Sequence, residues 1–151
     1  MNFKACIEQG KLIETGDKDV NRTREIIKLA EHKLQFWREC KEKAEQYPSL
    51  FIEGHYEIIK ELAMSILYAD GWKAENHDCA FQYLKEQKRA KLDFEFIAQL
   101  RKLRNSIDYE GTEVAPQLWK KYEEKIRESV DILIHAQDHT QNSIGKMRAN
   151  D

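Results

Sequence analysis

The run Leu103-Arg104-Asn105-Ser106-Ile107-Asp108-Tyr109-Glu110-Gly111 carries the groups in this chain best suited to chemistry. An arginine guanidinium can grip a phosphate bidentately and stabilise its charge. Arg104 is placed where an apolar helix face meets a helix end, and Asn105 beside it can position the same group or cap a carbonyl. Tyr109, the fifth residue after Arg104, adds a hydroxyl. With a pKa near ~10 it stays protonated at neutral pH, so it serves as a hydrogen-bond or proton donor and is a poor base. The plainer alternative is that Tyr109 packs at the helix end with its hydroxyl in water. Asp108, four residues after Arg104, has the spacing of an ordinary helical ion pair worth roughly a few tenths of a kcal/mol. Arg101 lies one turn earlier and, with Lys102, makes a small basic patch or simply a solvated face.

A second constellation is Gly71-Trp72-Lys73-Ala74-Glu75-Asn76-His77-Asp78-Cys79. His77 opens a helical pattern there. It either fixes the link by packing or reaches the Arg104 region and supplies acid–base function, for which an imidazole titrating near neutrality is the natural group. His135 and His139 are four apart, a spacing that can hold a metal from one helix face. Without a third ligand they read as a polar helix end, and no metal is expected. Glycine-rich phosphate loops, nucleophile elbows and calcium loops are absent, so no cofactor is expected.

These groups need a frame, and the composition points to helices. Of 151 residues, 41% are hydrophobic and 34% charged, with only two prolines and six glycines to interrupt long segments. That suits one helical domain with charged outer faces. The formal net charge is −2, so whole-protein electrostatics cannot attract a polyanion and any RNA or nucleotide site must be a local basic patch. Cys6, Cys40 and Cys79 are odd in number and far apart. They read as reduced, mostly buried thiols of a cytoplasmic protein. No targeting segment is visible, and the most apolar run, Leu62 to Ala69, is far short of the ~20 residues needed to cross a bilayer.

Periodicity predicts a short helix from Asn2 to about Glu14 and, with Asp17 as cap, a long one from Lys18 to about Gln46. Tyr47-Pro48-Ser49 ends the latter and Gly54 marks a loop or helix start. Tyr56 to Asp70 is the central buried helix, stopped by Gly71. A polar link over Lys73 to Asn76 leads to a helix from His77 to about Gln87. After a basic turn at Lys88 to Lys91, helices follow from Asp93 to Tyr109 and from Val114 to about Ala136. Trp37 and Trp119 fall in core stripes, whereas Trp72 covers a helix end or meets another subunit. From Gln137 onward periodicity is lost, which predicts a polar, disordered tail over 137–151. The fold class is all-α: an up-and-down antiparallel bundle of four to five helices over 1–136, plus a short N-terminal helix.

The order of these helices resembles the HEPN superfamily, the higher eukaryotes and prokaryotes nucleotide-binding domain, in its small stand-alone prokaryotic form. The long charged helix followed by the apolar helix ending Tyr68-Ala69-Asp70-Gly71 carries part of the resemblance. The Gly71 to Cys79 link and the Arg-Asn pair in Leu100-Arg101-Lys102-Leu103-Arg104-Asn105 carry the rest. Many members are metal-independent ribonucleases whose signature is an arginine followed, four to six residues later, by a histidine, with two subunits completing the site. On that pattern Arg104 and Asn105 occupy the signature, but Tyr109 stands where the histidine is expected. Some members pair with a minimal nucleotidyltransferase that modifies a tyrosine near the signature. There the tyrosine lies two residues beyond the histidine, a position that is Gly111 here.

The resemblance therefore implies a nucleotide- or RNA-interacting domain with a degenerate ribonuclease signature, serving as the helical partner of such a transferase in a toxin–antitoxin-like pair. Arg101, Arg104, Asn105 and His77 would bind phosphate, with Arg104 and Tyr109 as the catalytic candidates. One alternative is an active endoribonuclease toxin in which His77 or Tyr109 replaces the missing histidine. Another is a non-catalytic dimeric module locked by Arg104. A homodimer is expected from the family and from the number of apolar positions on Asp93 to Tyr109.

Overall fold

A computed structural model describes the backbone of residues 1–149 and the side chains of residues 1–137. The described residues form an all-α bundle of six α-helices with one small two-stranded sheet. Helix α1 (Phe3–Glu8) is capped by Asn2, whose Oδ1 accepts a hydrogen bond from the Ala5 N–H at 2.8 Å. It stops well before Glu14, because the chain turns through Gly10 at φ 69°. Residues Leu12–Glu14 form β1, which pairs antiparallel with β2 (Trp72–Ala74), Leu12 opposite Ala74 and Glu14 opposite Trp72. The expected polar link is thus largely a strand, held by a partner remote in sequence.

Helix α2 (Val20–Glu39) is capped by Asp19 rather than Asp17, and buries Thr23, Ile27, Ala30 and Leu34. It is shorter than periodicity suggested, since Cys40 leads into a single 3-10 turn (Lys41–Lys43). Helix α3 (Pro48–Asp70) starts eight residues before the expected Tyr56 (56 − 48). Pro48 does not block this helix; it opens it, at the first position, where a proline has no hydrogen bond to lose. Gly54 is an interior residue. A Cβ at Gly54 would overlap the Trp37 ring and stand 2.8 Å from its Nε1. The glycine is there so that the indole can lie against the α3 backbone. Trp37 is accordingly half-buried rather than a core residue proper.

Helix α3 is the centre of the molecule, packing against α2, against α4 (His77–Glu86), α5 (Phe94–Glu110) and α6 (Pro116–Ala149), and against β2. Its Ile52, Ile59, Leu62 and Ile66 are essentially inaccessible. Gly71 closes it in the left-handed conformation, φ 83°. Asp70, the last residue, accepts hydrogen bonds from Tyr83 Oη at 2.8 Å and Arg89 Nε at 2.7 Å, which ties the end of α3 to α4 and the turn after it. Trp72 packs between Phe3 and Tyr83, with centroids 6.3 and 5.3 Å away.

Helix α6 runs past Ala136. Gln137, expected to begin the tail, is buried, and its Nε2 donates to Leu62 O at 2.6 Å and to Ser65 Oγ. The tail expected beyond it lies outside the described side chains, as does His139. The cysteine expectation also changes: Cys6 and Cys79 are joined as a disulfide across 73 residues with Cα atoms 5.8 Å apart, and Cys40 alone is free. Among the described residues no helix is long and apolar enough to cross a membrane.

Candidate functional site

Helix α5 is fixed at both ends by its own residues. Asp93 caps its start by accepting from the Phe96 N–H at 3.0 Å, and Gly111 ends it at φ 65°. Phe96, Ile97 and Leu100 bury its first half in the core. Arg101, Arg104, Asn105 and Asp108 follow at intervals of three and four, so they share one face. Helix α3 presents a matching stripe, Glu53, Tyr56, Glu57 and Lys60, at the same spacing. The first turn of α4 supplies the third side. Asn76 caps it, accepting from the Cys79 N–H at 2.8 Å, and so holds His77 and Asp78 at the mouth of that helix.

Tyr56 joins the three elements. Its side chain is wholly buried, its Oη lies 3.3 Å from His77 Nδ1, and the Arg104 guanidinium carbon sits 5.8 Å from its ring centroid. His77 and Arg104 therefore border one tyrosine from two helices. Arg101 Nη1 lies 3.7 Å from Asp78 Oδ1, and the amino terminus of Met1 is 3.7 Å from the other Asp78 oxygen. Lys60 pairs with Glu57 at 2.6 Å.

Arg104 is already engaged. Its Nε is 2.9 Å from Asp108 Oδ2, with both side chains about one-fifth exposed, and its Nη1 is 3.4 Å from Asn105 Oδ1. Although close, the Nε atom is buried and not aligned for a good hydrogen bond, so the contact with Asp108 is chiefly one of charge. Glu53 stands against Asp108. Burial, then the Asp108 charge and a hydrogen bond between the two carboxyls, raise the Glu53 pKa above its usual value. Glu57 is shifted the other way: burial raises it, but the hydrogen bond and charge of Lys60, helped by Lys33 and Arg104, win and lower it.

His77 is pushed down to about 4, first by burial and then by the charges of Lys60, Arg101 and Arg104. It is a neutral imidazole at pH 7, able to accept a proton only if something offsets the cations around it. Burial holds the Tyr56 hydroxyl up at about 12, so it is a hydrogen-bond donor and not a nucleophile. Arg101, Arg104 and Lys60 thus face the carboxyl groups of Glu53, Glu57, Asp78 and Asp108. An anion placed against Arg104 would compete with Asp108, and its charge would raise the proton affinity of His77.

Of the sequence candidates, Arg101, Arg104, Asn105 and His77 come together. Tyr109 does not. It is 80% exposed, and five residues place it about 140° around the helix from Arg104. The α3 stripe of Glu53, Tyr56, Glu57 and Lys60 was not among them. Its signal was present, four polar-tipped residues at helical spacing within an apolar helix, but starting the helix at Tyr56 left Glu53 outside it. Among the described residues no group of three or more His, Cys, Asp or Glu side chains is arranged to hold a metal. No family model, curated protein or solved structure matches the chain.

Proposed function

We propose that this chain is a HEPN-like domain that engages the phosphate of RNA or of a nucleotide at the Arg104 cluster. In this reading it works as a homodimer and as the helical partner of a minimal nucleotidyltransferase, in the cytoplasm. The observation that carries the reading is the meeting of His77 and Arg104 around Tyr56. It supplies, from α4, the imidazole that the Arg104 segment lacks. Arg104 would hold the phosphate once Asp108 is displaced, Arg101 would add charge, and Asn105 would orient the group. Tyr109 has no part in this arrangement unless a partner protein reaches it on the surface. In a reducing cytoplasm Cys6 and Cys79 would stand as a thiol pair, whereas their disulfide suits an oxidising compartment.

The neutral state of His77 beside an arginine favours one second reading, a metal-independent ribonuclease with His77 as proton acceptor. One experiment addresses both. Labelled tRNA and mixed RNA are incubated with the protein in EDTA, beside Arg104→Ala, His77→Ala and Asp108→Asn, and both binding and cleavage are followed. Phosphate engagement predicts weaker binding by Arg104→Ala and several-fold tighter binding by Asp108→Asn, because the competing carboxylate is gone. Cleavage that both Arg104→Ala and His77→Ala abolish would establish the ribonuclease. Binding that neither the Arg104 nor the Asp108 substitution alters would refute the Arg104 site.

A further inference from the structure

On the other side of α3 from the Glu53 to Lys60 stripe lies a cavity of about 220 Å³ between α2, α3 and α6. Its walls are aromatic. Trp37 and Trp119 flank His55, with ring centroids 5.7 and 5.0 Å from the imidazole, and Phe51 touches both indoles at 4.8 and 5.3 Å. Leu34, Ile126 and Val130 complete the lining. Gly54 allows one wall to exist, because only a residue without Cβ lets the Trp37 ring lie where it does.

His55 gives this cavity a polar handle. Its Nδ1 is 2.7 Å from the Phe51 carbonyl, so that nitrogen carries the hydrogen and Nε2 is left with a lone pair. Burial lowers the His55 pKa, which keeps the ring neutral at pH 7. Among the described residues no hydrogen-bond partner stands against Nε2. The mouth is charged. Arg127 is paired with Glu123 at 3.0 Å, whereas Arg38, Lys41 and Asp131 make no side-chain ion pair with any described residue. The mouth therefore keeps one positive charge in excess.

We infer that this cavity binds a small planar heteroaromatic molecule that has an N–H donor on its ring system and an anionic substituent. The rings stack on the molecule, His55 Nε2 accepts its N–H, and the substituent projects to Arg38 and Lys41. The volume lies below the ~300–1,000 Å³ of pockets for drug-sized ligands, which limits the occupant to one ring system with its substituent outside. A quaternary ammonium, the other common guest of aromatic walls, fits less well: it has no N–H for His55 and would meet the excess positive charge at the mouth. The chemistry required is shared by nucleoside monophosphates and by indole carboxylates. This site is independent of the Arg104 cluster.

The test uses the full chain carrying Trp72→Phe and Arg104→Ala, so that the fluorescence comes from Trp37 and Trp119 and the Arg104 cluster is silent. Guanosine 5′-monophosphate and indole-3-acetate are titrated separately by calorimetry, and the nucleotide also by tryptophan quenching. Saturable one-to-one binding of either probe is expected, and which of the two binds assigns the ligand to nucleotides or to indole acids. Arg38→Gln with Lys41→Gln, both on the surface, should weaken the anionic probe roughly tenfold while leaving the uncharged guanosine or indole unchanged. Val130→Phe should fill the cavity and abolish binding, with helical circular dichroism verifying that it folds. The proposal is overturned if neither probe binds, or if binding survives both sets of substitutions.

Discussion

Protonation of His77 should destabilise the fold by an amount that can be isolated. The unfolded chain takes up this proton near pH 6.5, whereas in the folded protein burial and the charges of Lys60, Arg101 and Arg104 delay it to about pH 4. The folded state thus binds the proton less well. The stabilising contribution is complete above pH 6.5 and is lost as pH falls through about 4. At ~1.4 kcal/mol for each tenfold change in proton affinity, the fall from 6.5 to about 4 corresponds to about 3 kcal/mol. His77 is only half shielded, so solvent screening reduces this to about 1–2 kcal/mol. Urea unfolding of the wild type and of His77→Gln, followed by circular dichroism between pH 7.5 and pH 4, measures it. Groups remote from His77 behave alike in both proteins and cancel in the difference. Loss of the Tyr56 contact gives an offset that does not vary with pH. On lowering the pH the wild type should lose about 1–2 kcal/mol more than the variant. Parallel curves would show that His77 is not held neutral by its neighbours, and the electrostatic account of the cluster would fail. Adding RNA at pH 5 should raise the His77 pKa if phosphate sits against Arg104, and ring-proton chemical shifts would report it.

Two further substitutions probe the frame. Gly54→Ala places a methyl group inside the Trp37 ring, so despite the better helix propensity of alanine it should cost about 1–3 kcal/mol and shift the tryptophan emission; an unchanged melting temperature would show that the indole does not need that space. Cys6→Ser removes a cross-link closing 73 residues and should lower stability by about 2–4 kcal/mol under oxidising conditions while changing little with reductant present, both read by thermal melting.

Where local periodicity was strong, the sequence was a reliable guide to the fold. The stripe Ile58, Ile59, Leu62, Ala63, Ile66 and Leu67 marks α3 as the buried axis, and the glycine stops at Gly71 and Gly111 fall where the chain turns left-handed. The errors arose where a residue has two physical meanings. Proline ends one helix and opens the next, and at position 48 it opens α3. Glycine inside a helix reads as a break, yet Gly54 serves a ring from another helix. The strands Leu12–Glu14 and Trp72–Ala74 are three residues each, too short for alternation to be seen, and each is defined only by the other. The disulfide was illegible for the same reason: Cys6 and Cys79 become neighbours only after α1 docks on α4.

The Arg104 region shows why a motif read along one helix gives half of a site. Arg104, Asn105 and Asp108 are adjacent in the sequence, and their mutual contacts follow from helical spacing alone. What those groups can do depends on Tyr56 and Glu53, which come from α3, and on His77, which comes from α4. Tyr109 looked the better chemical partner because it is five residues away, but a helix turns it out into water. His77 lies 27 residues from Arg104 in the sequence (104 − 77), which left open whether it reaches that region, and packing brings both against one ring. The same packing explains why a basic residue at a helix end is not by itself an anion site. Arg104 is neutralised by Asp108, and Asp108 in turn stands against Glu53, whose pKa burial and the Asp108 charge raise. In the proposed reading a phosphate competes with that carboxylate for Arg104, so its affinity would depend on how firmly Asp108 is held as well as on the charge of Arg104.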